Sequence, residues 1–246
     1  MKVLGIDIGG SAFKGAPVDT KTGRLLAERH RVEIDAPCPT AQGLAAAREI
    51  ARHFKWKGPV GLGFPGIILG DRIDAVGNLG ANWENKNGAA LFGRATGGRA
   101  RLFNDADAAG LAEMKFGAGR GHRGSVLMLT FGTGIGSALF YRGQLMPNIE
   151  FGHIPWRGKP IERFASAAVR KRRGLTWREW ALRVNVFFAV AERLCSPELI
   201  IIGGGVSKKS EKWFKYLKAK ARIVPARMHN DAGIVGAALA WEQSGR

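Results

Sequence analysis

The chain has 246 residues, 46% of them apolar, which allows one large domain or two small ones with a sizeable core and excludes wholesale disorder. Its 38 lysines and arginines against 20 acids leave a formal charge of +18, which says nothing of fold but favours polyanionic partners. Two cysteines, Cys38 and Cys195, exclude a disulfide framework and a Cys-rich zinc centre and suit a reducing cytosol.

Val3, Leu4, Ile6 and Ile8 describe a buried strand, turned by Gly9, Gly10 and Ser11, and 15–19 reads as the returning strand. A hairpin turn at 21–23 leads to a third strand expected over 25–32. From Thr40, which can cap a helix, Leu44, Ala47, Ile50, Ala51 and Phe54 recur at helical spacing. A strand over 59–64 closes at Pro65-Gly66. Another ends at Asn104-Asp105, and a helix is expected over 106–116. The second half repeats the scheme: strand 125–130, glycine turn 131–136, strand 137–141, then a helix over 177–194. A short buried strand over 199–202 closes at Gly203-Gly204-Gly205, and a small-residue helix spans 232–241. Two halves that each open strand, glycine turn, strand suggest an internal duplication in an α/β protein. The expected domains are 1–103 and 104–230, with 231–246 crossing back to the first. No apolar run approaches the ~20 residues of a spanning helix. The start of the chain lacks the basic segment and cleavage site of an export signal. A cytoplasmic location is expected.

Four constellations carry chemistry. In Asp7-Ile-Gly-Gly-Ser-Ala-Phe-Lys14 a strand delivers an acid beside a small-residue turn, whose backbone N–H groups can approach an anion. The spacing is neither a P-loop nor Gly-x-Gly-x-x-Gly, and a plain glycine hairpin is an equal reading. Leu129 to Ser137 forms a second such hairpin, and the two could hold one phosphate chain from two sides. Asp105, at a strand end, can serve as general base with Asn104 orienting; the alternative is a helix cap. Asp107 fits the cap reading better, with Glu113 as a surface or interdomain partner. Glu150-Phe-Gly-His153, followed by Glu162, puts an imidazole between two carboxylates, which suits hydroxyl recognition over the ordinary structural histidine.

Together these residues resemble a known family. Asp7-Ile-Gly-Gly-Ser11, Thr130-Phe-Gly-Thr-Gly-Ile-Gly136 and Ile202-Gly-Gly-Gly205 are similar to the phosphate-1, phosphate-2 and adenosine motifs of the sugar-kinase, Hsp70 and actin superfamily. Asn104-Asp105 and Glu150-x-Gly-His153 narrow this to the ROK sugar kinases. The runs 7–19, 104–113, 132–140 and 229–239 resemble the polyphosphate glucokinase branch, and the likeness runs from end to end.

The resemblance implies a two-domain actin-like (ribonuclease H-like) α/β fold with a cleft between the domains. It implies phosphoryl transfer to O6 of glucose from inorganic polyphosphate, with ATP as the alternative donor, in a homodimer. A non-catalytic sugar sensor is the alternative of another class. By position Asp105 resembles the catalytic base. Asn78, Asn104, Glu150, His153 and Glu162 resemble the sugar ligands, with Pro65 and Gly66 against the ring. Gly9, Gly10, Ser11, Lys14, Thr130, Gly132, Thr133 and Gly134 fall where phosphate is held, and Gly203, Gly204 and Gly205 at the donor-site turn. Asp7 resembles the carboxylate near Mg²⁺, directly or through water. Many members follow the histidine with a Cys-rich zinc loop. Residues 151–173 hold no cysteine, so no zinc is expected.

The departure lies in charge. Residues 163–183 carry seven basic residues against Glu179, and 208–222 carry seven against Glu211. Arg170, Lys171, Arg172 and Arg173, with Lys208, Lys212 and Lys215 on one face of an expected helix, are candidates for a polyphosphate track. A solvated face is the plain alternative. Nucleic-acid binding is disfavoured, since no recognition motif accompanies the charge.

Overall fold

The computed structural model describes residues 1–77 and 79–243, so the expected sugar ligand Asn78 lies outside the described residues. The chain forms two compact units: Met1–Ala112 with the segment from Asp231 onward, and Glu113–Asn230. Asn104 and Asp105 thus belong to the first unit, whereas the sequence reading began the second domain at 104.

Each unit is built on a sheet of the same topology. In the first, the strand order is Arg24–Leu25, Ala12–Asp19, Lys2–Ile8, Val60–Phe64, Ala100–Asn104, with His30–Glu33 also pairing with Ala12–Asp19. In the second it is Gln144–Met146, Ile135–Tyr141, Ser125–Phe131, Leu199–Gly203, Arg222–Pro225. In both, an antiparallel meander is extended by two parallel strands. The central strands are buried on both faces, which is why they read as nearly unbroken apolar runs.

Glycine lets a helix lie directly on the first sheet. A Cβ at Gly61 would lie 1.9 Å from the Ala237 carbonyl oxygen, and one at Gly5 would lie 2.0 Å from that of Ile234. Helix Ala232–Gln243 therefore packs its small-residue face on the central strands. The other face of that sheet is covered by helix Thr40–His53, through Ala46, Ala47, Ile50 and Ala51, and by Trp83 stacked on Phe92 at 5.5 Å. The core of the second unit gathers Phe131, Trp180, Phe187, Phe188 and Trp213. Helix Trp177–Cys195 starts with a capping box in which Thr176 and Glu179 bond each other's backbone N–H groups.

Several expectations are corrected. The third strand is two, Arg24–Leu25 and His30–Glu33. Thr40 does not cap its helix: it is the first helical residue, and its hydroxyl donates to the Asn82 carbonyl at 3.1 Å. Gly66–Leu69, Arg72–Val76 and Lys86–Asn87 form a three-stranded sheet, followed by a helix Gly88–Thr96, that sequence spacing did not reveal. Glu113 is fully buried, not on the surface, and accepts the Ala118 and Met228 N–H groups at 2.7 and 2.6 Å. Residues 207–216 are not an α-helix but two 3₁₀ segments, Ser207–Lys212 and Phe214–Tyr216, kinked at Lys209. Lys208, Lys212 and Lys215 are all exposed, yet the shared helical face expected of them does not form. Among the described residues no helix is long and apolar enough to cross a membrane.

Candidate active site

In the first unit, Asp7 at the end of the opening strand pairs across the hairpin with Lys14. The Lys14 ammonium lies 3.8 Å from the Asp7 carboxylate. Burial pushes the Asp7 carboxyl up, and the charges of Lys14 and Arg29 pull it back. The carboxylate packs against Gly233, where a Cβ would lie 2.7 Å from Oδ1. The Gly9 N–H closes the turn on the Ala12 carbonyl at 3.0 Å and leaves Gly10 and Ser11 exposed.

At the end of strand Ala100–Asn104, Asn104 caps the following helix and also bonds a loop carbonyl. Its Oδ1 accepts the N–H groups of Ala106 and Asp107 at 2.9 and 3.0 Å, which caps helix Asp105–Phe116. Its Nδ2 donates to the Gly66 carbonyl at 3.1 Å and so ties the Pro65-Gly66 loop to the helix start. The Pro65 carbonyl accepts from Gly77 N–H at 2.9 Å, which closes that loop. Asp105 is the first residue of the helix and only half-buried, with Oδ1 on the Ala106 N–H at 2.8 Å. A carboxylate there is favoured by the helix dipole.

In the second unit, the tip of the hairpin between Ser125–Phe131 and Ile135–Tyr141 is held by Gly132 N–H on the Gly134 carbonyl at 3.0 Å, with Gly132 and Thr133 exposed. Thr130 pairs in register with Gly203, so the triple-glycine turn adjoins this hairpin. Gly204 adopts φ +81°, and a Cβ there would meet the Phe131 carbonyl oxygen at 2.4 Å.

Glu150, His153 and Glu162 come together beside the same hairpin. Glu162 Oε2 accepts the Ile135 N–H at 3.0 Å and occupies the space a Cβ on Gly134 would need. Gly152 packs so closely that a Cβ would lie 2.2 Å from the Ile135 carbonyl oxygen. Burial pushes the Glu150 carboxyl up; the His153 charge opposes the rise and that of Glu162 adds to it. Sequence reasoning missed Ser137, which fixes this loop: its hydroxyl donates to the Ile149 carbonyl at 2.5 Å and accepts the Phe151 N–H at 2.9 Å. The one available signal was a hydroxyl in an otherwise apolar strand.

A carboxyl raised in the folded state holds more protons there than in the unfolded chain. Its contribution to stability is therefore present at low pH and lost as pH rises through its folded value. Glu150→Gln should leave the protein at least as stable as wild type at neutral pH and flatten that part of the profile. Thermal unfolding of both proteins from about pH 4 to about pH 8 checks this; a variant less stable at neutral pH would contradict it.

The basic cluster divides. Lys171, Arg172 and Arg173 are exposed. Arg170 is committed to the fold: its guanidinium lies 4.0 Å from the Trp177 ring centre and donates to the Leu175 carbonyl at 3.2 Å. It thus steadies segment Ala167–Arg172, whose Ala168 N–H bonds the Gly132 carbonyl at 3.0 Å.

Duplicated sheets that each open on a glycine hairpin, with a carboxylate beside a capping amide at a strand end, define a sugar kinase of the actin-like two-domain fold. The chain belongs to the ROK family, whose model matches residues 3–165. It is 40% identical over 238 residues to the polyphosphate glucokinase of Mycobacterium tuberculosis (strain CDC 1551 / Oshkosh), which covers 96% of this chain and 90% of that protein. The inorganic polyphosphate/ATP-glucomannokinase of Arthrobacter sp. strain KM matches it with a TM-score of 0.95 at 41% identity, over 99% of both chains. A ROK glucokinase from Streptomyces griseus, solved with glucose and AMPPNP, shares the fold at 24% identity and a TM-score of 0.79, over 99% of this chain and 100% of that one.

Proposed function

We propose that this chain is a polyphosphate-dependent glucokinase, which transfers the terminal phosphoryl group of inorganic polyphosphate to O6 of glucose. The observation that carries this is the 40% identity to a polyphosphate glucokinase across 96% of the chain. ATP is the alternative donor, supported by the dual-donor name of the Arthrobacter protein. The test is product analysis of the purified protein with glucose, polyphosphate and Mg²⁺: glucose 6-phosphate is expected, and its absence would overturn the reading.

In the proposed reaction the O6–P bond forms as the bridging P–O bond to the rest of the polymer breaks. The O6 proton passes to the Asp105 carboxylate, and the polymer leaves one phosphate shorter. A loose transition state needs alignment and charge neutralisation more than covalent help. Lys14 and the backbone N–H groups of Gly10, Ser11, Thr133 and Gly134, at the tips of turns closed by the Gly9 and Gly132 N–H groups, supply that neutralisation. Glu150 and His153 bind sugar hydroxyls, Asn104 holds the Pro65-Gly66 loop, and Glu162 braces the second hairpin while its other oxygen stays available to the sugar. Mg²⁺ fits Asp7: a hard carboxylate oxygen, largely buried and only partly offset by Lys14 and Arg29, is a suitable donor beside phosphate oxygens and water. The ion would supply further neutralisation of phosphate charge. We further propose a cytoplasmic homodimer without structural zinc.

Glu150→Gln and His153→Ala should each raise the glucose KM by about tenfold or more, because a site built to pair hydroxyls loses free energy when a partner is removed. The donor KM should move little; a pure donor effect would contradict the assignment.

The exposed part of the basic surface is assigned to the polymer. Reversal of Lys171, Arg172 and Arg173 to Glu, with Arg170 left intact, should raise the KM for long polyphosphate about tenfold more than that for tripolyphosphate. The wild-type KM for long chains should climb steeply with salt, as counterion release requires. An unchanged KM for long chains together with a flat salt response would make this surface a solvated face.

A further inference from the structure

Strand His30–Glu33 and helix Thr40–His53 of the first unit enclose an open groove of about 620 Å³, lined by His30, Ala45, Arg48, Glu49, Arg52 and His53. That is the size of a small-molecule site, and its wall is cationic. Arg48 and Arg52 are one helical turn apart, where like charges repel, and among the described residues neither forms an ion pair. The one acid in the groove, Glu49, is engaged by His30 Nε2 at 3.0 Å. His30 and His53 stack face to face, 4.1 Å between ring centres and 7° between planes, and Phe54 meets His53 edge-on at 4.7 Å. The stack fixes both rings in the wall. Two unpaired guanidinium groups beside two ordered imidazoles are complementary to an anion. A single phosphate would fill a small part of the space, whereas a linear oligophosphate spreads its charge along it.

The strand that bears His30 also runs beside the phosphate-1 hairpin. His30 pairs with Gly15, and Arg31 pairs with Lys14. Successive residues point to opposite faces, so His30 turns to the groove and Arg31 to the face of Lys14 and Asp7. The outer edge of this strand pairs with no other strand among the described residues, so one edge strand separates the groove from the face of the hairpin.

We propose that this groove is a second oligophosphate-binding site, which holds part of a long chain away from its reacting end. The proposal rests on the reading of polyphosphate as donor and is independent of the basic surface of the second unit.

The test is the double variant Arg48→Ala/Arg52→Ala. Both positions are exposed and neither belongs to the transfer machinery. Calorimetric titration of long polyphosphate without glucose reads binding directly; kinetics with long polyphosphate, tripolyphosphate and ATP read its use. The expected result at physiological salt is a Kd for long polyphosphate weakened about tenfold, with KM raised in proportion. The kcat, and the KM for tripolyphosphate and ATP, should stay within about twofold of wild type. Arg48→Lys/Arg52→Lys, which keeps the charge, should recover most of the affinity. Unchanged Kd and KM in the alanine variant would overturn the proposal, as would a wild-type protein that binds no long polyphosphate. If wild type turns over ATP alone yet binds long chains through these arginines, the donor reading fails and the groove stands.

Discussion

Asp105→Asn should fold like the wild type, still bind glucose, and lose about 10²–10⁴-fold in kcat, the usual contribution of a positioned general base. The substitution is nearly isosteric, and an Asn amide oxygen can still accept the Ala106 N–H that Asp105 holds at 2.8 Å. The cap itself belongs to Asn104, so the helix start is not at risk. What is lost is a proton acceptor at the first residue of the helix, where the dipole favours the charged carboxylate. Circular dichroism and glucose titration establish that the variant is folded and loaded; steady-state kinetics give kcat. A variant that keeps more than about half of wild-type kcat would remove Asp105 from the role of base.

Gly61→Ala should cost at least about 3 kcal/mol, the upper range for overpacking. For a chain of this size that corresponds to a fall in Tm of roughly 6–12 °C. The added Cβ would lie 1.9 Å from the Ala237 carbonyl oxygen and 2.6 Å from its carbon. These are backbone atoms, so relief requires the last helix to move off the central strands of the first unit. Gly132→Ala is the contrast. A Cβ there meets nothing within 4 Å, so Tm should hold. The methyl group would nonetheless stand where backbone is proposed to approach phosphate, and the donor KM should rise. Equal Tm values for both variants would mean that Gly61 does not set the seat of the helix.

The two opening hairpins were legible because each announces itself locally, as an apolar strand, a run of glycines and a returning strand. The long helices were legible for the same reason. Helix Trp177–Cys195 carries both its apolar period and its capping box in contiguous sequence. The sheet of residues 66–76 and 86–87 escaped notice because its strands are two to five residues long and only partly buried, too short for alternation to speak. Residues 207–216 misled through spacing: Lys208, Lys212 and Lys215 match an α-helical face, but burial of Trp213 is met by two 3₁₀ turns instead.

In the site, the residue types were readable and their partners were not. Asn104 could be a cap or a ligand on sequence; its bonds to the Ala106 and Asp107 N–H groups make it the cap, and its bond to the Gly66 carbonyl, 38 residues away, shows that it holds a loop as well. Ser137 and Glu113 bond backbone groups on distant segments, and no local pattern encodes such partners. In sequence Arg170 is indistinguishable from its basic neighbours in the candidate polyphosphate track; only the fold sets its guanidinium on the Trp177 ring.

The most direct test is a donor comparison at saturating glucose with Mg²⁺, with kcat/KM measured separately for polyphosphate and for ATP. The expected result is a higher kcat/KM with polyphosphate, one glucose 6-phosphate formed for each phosphate lost from the polymer. Transfer from ATP with polyphosphate inert would contradict it.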